Sequence, residues 1–337
     1  MSAQFFLATQ NGVFMARRAG RGWSLTAEAL GGRAITSAAA RDGLALAGTR
    51  DGIWRSTDGG KNWAEAGTHL TTRYVRWLTC ATGGMPFVLA GTEPAAIFVS
   101  HDGADTWTAC PEVEKLRDRC GWFLPYSPEA GCVRGFSVFS FSAERARVFA
   151  AVEVGGVLIS NNSGNNWRLV EGSDGSPEMD RALGTRIHPD VHSIEVHPSS
   201  PDLLTAATGG GLYRSDDCGV TWKSLYTCYC RAVWVDPHDP QHIIFGPADG
   251  VSRNGRIEES LDGGETWQPA AKGLEVPWPH HIVERFCQAD GQLLAVLSNG
   301  ELWATRLEAI KWRQILPEIK GISAVAVSNF HGSRYYP

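Results

Sequence analysis

Short stretches of alternating apolar and polar residues run through the whole chain, and glycine turns close them. Leu44–Thr49, Asp51-Gly52 and Ile53–Ser56 form one such group; Leu203–Thr208, Gly209-Gly210-Gly211 and Leu212–Ser215 form another. Period-two alternation bounded by glycine predicts strand–turn–strand units. A further strand precedes each pair, as in His192–His197, closed by Pro198, and Arg231–Asp236, closed by Pro237. After each pair comes Ser-x-Asp-x-Gly-x-x-Trp. It occurs five times: Ser56–Trp63, Ser100–Trp107 (Ala104 for the Gly), Ser160–Trp167 (Asn162 for the Asp), Ser215–Trp222 and Ser260–Trp267. Here the carboxylate or amide can bond turn amides, the glycine supplies a positive φ, and the tryptophan opens an outer strand. Four strands per unit, repeated every 40 to 60 residues, predict the blades of an all-β propeller.

Two eroded units complete the count. Phe5–Thr9, Val13–Arg17 and Trp23–Thr26 put Trp23 in the box position, and Leu293–Leu297 and Leu302–Arg306 lead to Trp312. With Trp63, Trp107, Trp167, Trp222 and Trp267 this makes seven four-stranded blades in one domain over residues 1–337. The approximate blades are 1–27 plus 320–328, 33–67, 74–110, 133–170, 191–226, 230–269 and 280–316. The first unit lacks an inner strand, whereas Ile322–Val327 is a strand without a unit. It should therefore close the ring as the inner strand of blade 1, leaving no free sheet edge.

Composition narrows the function more than the fold. The net charge of -5 gives no bulk support for nucleic acid or an anionic membrane as partner. No segment approaches the length of a membrane span. The first residues carry neither a basic start nor a long apolar run, so the expectation is a cytoplasmic protein whose eight cysteines are free thiols.

The five boxes resemble the BNR, or Asp-box, repeat of sialidases, xyloglucan-type glycoside hydrolases, sortilin-like receptors and photosystem assembly factors. The resemblance covers nearly the whole chain and implies the fold rather than an activity. It also implies that the boxes lie away from the ligand face and act structurally. No Arg-Ile-Pro segment occurs and seven units exceed the six of sialidases, so classical sialidase activity is not expected. The segment His188–Ile194 is similar to segments of bacterial BNR-repeat glycosyl-hydrolase-like proteins.

Propeller ligands usually sit where the inner strands begin. Aligning the seven starts by apolar residues puts a basic side chain first in each blade: Lys320, Arg33, Arg76, Arg134, His192, Arg231 and His281. Two residues later come Ile322, Ile35, Leu78, Phe136, Ile194, Val233 and Val283. Such a cationic funnel in an acidic protein points to an anion. Tyr74, Tyr229 and Arg253 join the predicted ligand-binding set, the last from a loop, 249–256, that adds two arginines. Glu195 and Glu284 align three residues after His192 and His281; with Asp190 they are the candidate acid–base groups. His188, His192, His280 and His281 are the alternative, a set for a divalent metal, although no cofactor is required.

The long connections 109–133 and 170–191 are expected to cap one side of the funnel. The first carries Trp122, Phe123 and Tyr126; the second carries Asp174, Glu178, Asp180, Arg181, Arg186 and His188. With Tyr74, Tyr229 and Trp278, the first loop's aromatics are candidate stacking surfaces. Three readings follow: an anionic small molecule or carbohydrate bound at the funnel, with or without hydrolase or lyase chemistry; a protein-interaction or assembly propeller; and a His-site metalloenzyme.

Overall fold

The computed structural model describes residues 3–20, 22–81, 86–127, 130–142, 144–178 and 184–328. They form seven four-stranded antiparallel sheets arranged as a ring. The innermost strands are Ile322–Ser328, Ser37–Arg41, Val75–Cys80, Cys132–Ser140, Val191–Val196, Tyr229–Asp236 and Val283–Ala289 for blades 1 to 7. Each touches the next around the central channel. Ile322–Ser328 pairs antiparallel with Gln4–Thr9, Val327 opposite Phe5 and Val325 opposite Leu7, so the last strand closes the first blade as expected.

The boxes lock the turns between third and fourth strands. In Ser56–Trp63 the Ser56 hydroxyl donates to Asp58 (2.8 Å) and accepts the Gly60 N–H (2.9 Å). Asp58 also accepts the N–H groups of Lys61 and Asn62, each at 3.0 Å. The Asn62 amide, foremost among these donors, holds the Asp58 carboxyl well below the usual carboxylate range. Gly59 and Gly60 both have positive φ, and so do Gly103 and Ala104, Ser163 and Gly164, Cys218 and Gly219, and Gly263 and Gly264. The turn is thus a pair of left-handed residues, of which the sequence pattern displayed only the second. A Cβ on Gly60 would lie 2.5 Å from Met15 Sδ and 2.8 Å from Phe6, both in the preceding blade.

The core lies between neighbouring sheets. Between blades 3 and 4, Leu89, Val133, Val148 and Trp167 pack together. Full burial of such side chains contributes about 1.5–3 kcal/mol each. Trp107 and Trp312 donate their indole N–H to carbonyls of the preceding blades, Ala66 (2.9 Å) and Ala270 (2.8 Å), tying blade to blade.

One helix interrupts the β structure of the described residues, Pro111–Cys120 in the 109–133 connection. Its signals were in the sequence: Pro111 at the first turn, Glu112 and Glu114 there, Arg117 and Arg119 in the last turn, and Gly121 in left-handed conformation at the end. Val113 and Leu116 bury its inner face.

Candidate site at the mouth of the channel

Six of the seven innermost strands begin with a break in their pairing. The register shifts between Val75 and Trp77, Val133 and Gly135, Val191 and Ser193, Cys230 and Val233, and Val283 and Arg285. The same shift on blade 1 lies across Ser323, between Ile322 and Ala324. In blade 2 the strand starts at Ser37, and Thr36 holds the matching place, its N–H on the Gly48 carbonyl (2.8 Å). A β-bulge re-aims the extra side chain. The residues so presented, blades 1 to 7, are Ser323, Thr36, Arg76, Arg134, His192, Arg231 and Glu284.

Four of the seven predicted positions therefore hold, and three do not. Lys320, Arg33 and His281 each lie three residues before the true position. Lys320 is exposed, Arg33 lies over the Trp54 ring (4.2 Å), and His281 stacks on Trp278 (5.3 Å), where burial lowers its pKa. The correction replaces an all-basic ring with three arginines, one histidine, two hydroxyls and a carboxylate. Glu284 occupies the ring itself, and Glu195, three residues beyond His192, does not share its level.

The arginines are paired off. Arg76 donates to Glu93 (2.6 Å) and to the Tyr74 hydroxyl (2.9 Å). Arg134 lies 3.4 Å from Glu153 and 3.6 Å from Glu284. Arg231 donates to Glu284 and, through Nε, to the Tyr229 hydroxyl (2.7 Å). Against burial, which raises it, Arg231 and then Arg134 hold the Glu284 carboxyl below its ordinary value. Tyr229 is pushed up to about 12, chiefly by burial.

The sequence reading passed over Arg285. It follows Glu284 and sits 3.9 Å over the Trp77 ring. Among the described residues its one hydrogen bond is a long one, to the Thr36 carbonyl (3.4 Å). No carboxylate among the described residues lies within 4.0 Å of it. Burial, followed by the charge of Arg134, brings its pKa down to about 9. Its signal was its place next to a bulge; the apolar alignment hid it because the slip of three put Ile282 in its place.

Arg285 lines a cavity of about 370 Å³ at the channel mouth, together with Arg76, Arg134, Tyr74, Trp77 and Asn299. Five of the seven bulge residues line it: Ser323, Thr36, Arg76, Arg134 and Glu284. Below it the channel narrows to a space of about 50 Å³ among Glu195, His192, Arg231 and Phe286. Glu195 lines this narrow space, where water reaches it but the surrounding protein crowds it. That crowding raises its carboxyl to about 7, against a weak bond from Ser137 (3.5 Å).

The chain's fold recurs in solved structures. An ancestral GH74 enzyme matches 83% of this chain and 38% of its own at a TM-score of 0.61 and 15% identity. YCF48 bound to D1 peptide matches 89% of this chain and 86% of its own, at a TM-score of 0.59 and 15% identity. Among curated proteins, a xyloglucanase, Xgh74A of Acetivibrio thermocellus, is 25% identical over 49% of this chain, and a sialidase of Bacteroides fragilis is 21% identical over 79%. This chain spans 23% of that xyloglucanase and 56% of that sialidase. No family model matches. These likenesses agree with the seven-bladed propeller and relate its fold to the GH74 and YCF48 propellers.

The other predicted residues are partly dispersed. Arg253 bonds the Asp249 carbonyl of its own loop (2.8 Å), and Arg256 pairs with Glu258 (2.7 Å); neither lines the cavity. Trp122 and Trp278 are buried and offer no stacking face. The Trp122 indole instead donates to the Gly175 carbonyl (2.8 Å), binding the two long connections to each other. Phe123 and Tyr126 remain exposed. Asp180 and Arg181 lie outside the described residues. Of His188, His192, His280 and His281, only His192 belongs to a group of three close metal-ligating side chains among the described residues. The eight cysteines are free. No helix is long and apolar enough to cross a membrane.

Proposed function

We propose that the cavity at the channel mouth binds an anionic small molecule or an acidic glycan, with Arg285 as the anchor. The carrying observation is that Arg76, Arg134 and Arg231 have carboxylate partners and that Arg285 has none within 4.0 Å among the described residues. A half-buried guanidinium without an anion is costly, and a ligand carboxylate, phosphate or sulfate forked onto it removes that cost. Tyr74, Asn299, Thr36 and Ser323 add polar groups at the cavity wall. A volume of about 370 Å³ suits one sugar ring or a compact acid. Curated relatives named as a xyloglucanase and a sialidase support a carbohydrate, and an acidic sugar is the one that also meets Arg285.

Hydrolysis is a weaker reading of the same site. Glu284 is held between two arginines, a poor setting for a proton donor. Glu195 would be a better acid, yet the space beside it, about 50 Å³, admits a water and excludes a sugar ring. The assembly reading has its own support, because a solved propeller of matching size, YCF48, is bound to a peptide. Under it, a peptide carboxylate would take the place of the sugar acid.

Calorimetric titration separates these readings. The native protein should bind glucuronate or N-acetylneuraminate and not glucose, and Arg285→Met should weaken binding about tenfold or more, as loss of a charge-assisted pair does. Equal binding of acidic and neutral sugars, or undiminished binding by Arg285→Met, would overturn the proposal. Binding of acidic peptides but of no sugar would favour the assembly reading.

A further inference from the structure

Beside Arg134 lies a second group of side chains that the anion site does not use. The His192 ring is buried, with 2% of the residue exposed. Its Nδ1 lies 2.8 Å from the Cys230 carbonyl oxygen. A carbonyl only accepts, so Nδ1 carries the hydrogen and the neutral ring presents a lone pair at Nε2. That lone pair faces another acceptor, Asp190 Oδ1, at 3.1 Å. Among the described residues neither atom has a hydrogen-bond partner, and neither does Oε2 of Glu153, a residue 4% exposed. Ligand atoms of Glu153, Asp190 and His192 all lie within 4.8 Å of one another.

We infer that Glu153, Asp190 and His192 form a site for one divalent transition-metal ion of the zinc or manganese class. A proton on Nε2 would join His192 to Asp190 but leave the Glu153 oxygen unsatisfied. A single cation satisfies all three donors. One imidazole and two carboxylates suit zinc or manganese, and the two negative charges neutralise the ion. The bond from Nδ1 to a backbone carbonyl is the outer contact that fixes the tautomer of a metal-ligating histidine. Arg134 lies 3.4 Å from Glu153 in an ion pair without hydrogen-bond alignment. It keeps Glu284, at 3.6 Å, as a partner when Glu153 turns to a metal. The Asp190 N–H donates to His188 Nδ1 (3.2 Å), which holds the start of the strand against the cluster. Three protein ligands leave coordination positions for water or a ligand oxygen.

The set differs from the four histidines that the sequence suggested. Glu153 ends the second strand of blade 4 and Asp190 precedes the first strand of blade 5, so only ring assembly brings them together. The site stands or falls separately from the sugar reading.

The test is titration of the full chain, stripped with a chelator, with Zn²⁺ and with Mn²⁺, comparing the native protein with Glu153→Gln and Asp190→Asn. Both substitutions keep the side-chain shape, and circular dichroism verifies folding. The native protein should take up one ion per chain, each variant should bind about tenfold more weakly or worse, and Zn²⁺ should shift the His192 Nε2 nitrogen resonance. Absence of saturable uptake, equal affinity in the variants, or a His192 resonance indifferent to Zn²⁺ would overturn the inference. Should Glu153→Gln fail to fold, Asp190→Asn, at a more exposed position, carries the comparison.

Discussion

At the scale of the residue, the channel separates two carboxylates that look alike in sequence. Glu284 is kept ionised by Arg231 and Arg134, whereas Glu195 has no cationic partner and is raised to about 7 by crowding. The consequence is a pH dependence with a definite sign. Below the ordinary glutamate value of 4.5 the group is neutral folded or unfolded, and it costs nothing. Between 4.5 and about 7 the unfolded chain ionises while the native one resists, so stability falls as pH rises, and the loss levels off above about 7. Glu195→Gln should therefore raise the melting temperature at pH 8 and leave it unchanged at pH 4. A melting series over that range checks this, and an equal effect at both ends would refute it. Arg285 is the opposite case, a cation that burial and Arg134 disfavour and that an incoming anion would relieve.

At the scale of the element, one irregularity explains both what the sequence revealed and what it hid. The apolar residues flanking each bulge stand three apart rather than two: Val75 and Leu78, Val133 and Phe136, Val191 and Ile194, Cys230 and Val233, Val283 and Phe286, Ile322 and Val325, Ile35 and Ala38. An inserted residue breaks the period of two, so a strand start can be aligned on either apolar residue of the pair. Blades 3 to 6 fall into place because their basic residue lies between the two. In blades 1, 2 and 7 the earlier apolar residue was matched to the later one, a slip of three that promoted Lys320, Arg33 and His281. The fold survived the slip because the boxes set the blade count independently of the inner strands. The cation–carboxylate pairings could not be read, since Glu153 ends a second strand and Glu93 directly follows one, and they meet the arginines only in the sheet. The boxes make a prediction of their own. Ser56 is buried and its oxygen takes the Gly60 N–H, so Ser56→Ala leaves a buried amide unsatisfied and should cost about 1–3 kcal/mol in denaturant unfolding. A change below a few tenths of a kcal/mol would show that the turn needs no such bond.

At the scale of the whole molecule, the ring converts an overall charge of -5 into a local cationic surplus. Arg76 with Glu93, Arg134 with Glu153 and Arg231 with Glu284 balance one another, and Arg285 is left over beside a cavity of about 370 Å³. Closure by Ile322–Ser328 completes the site, because it brings Ser323 and Ile322 into the same cavity lining as Arg285. The boxes supply the frame and the bulges supply the site, on strands that the boxes merely index. The central claim is that Arg285 receives a ligand anion at the channel mouth. The most direct measurement is a crystal structure of the protein with glucuronate. The account predicts the sugar carboxylate within hydrogen-bond distance of the Arg285 guanidinium, in the cavity shared with Arg76 and Tyr74. Glucuronate bound elsewhere, or a cavity holding only water at saturating glucuronate, would contradict it.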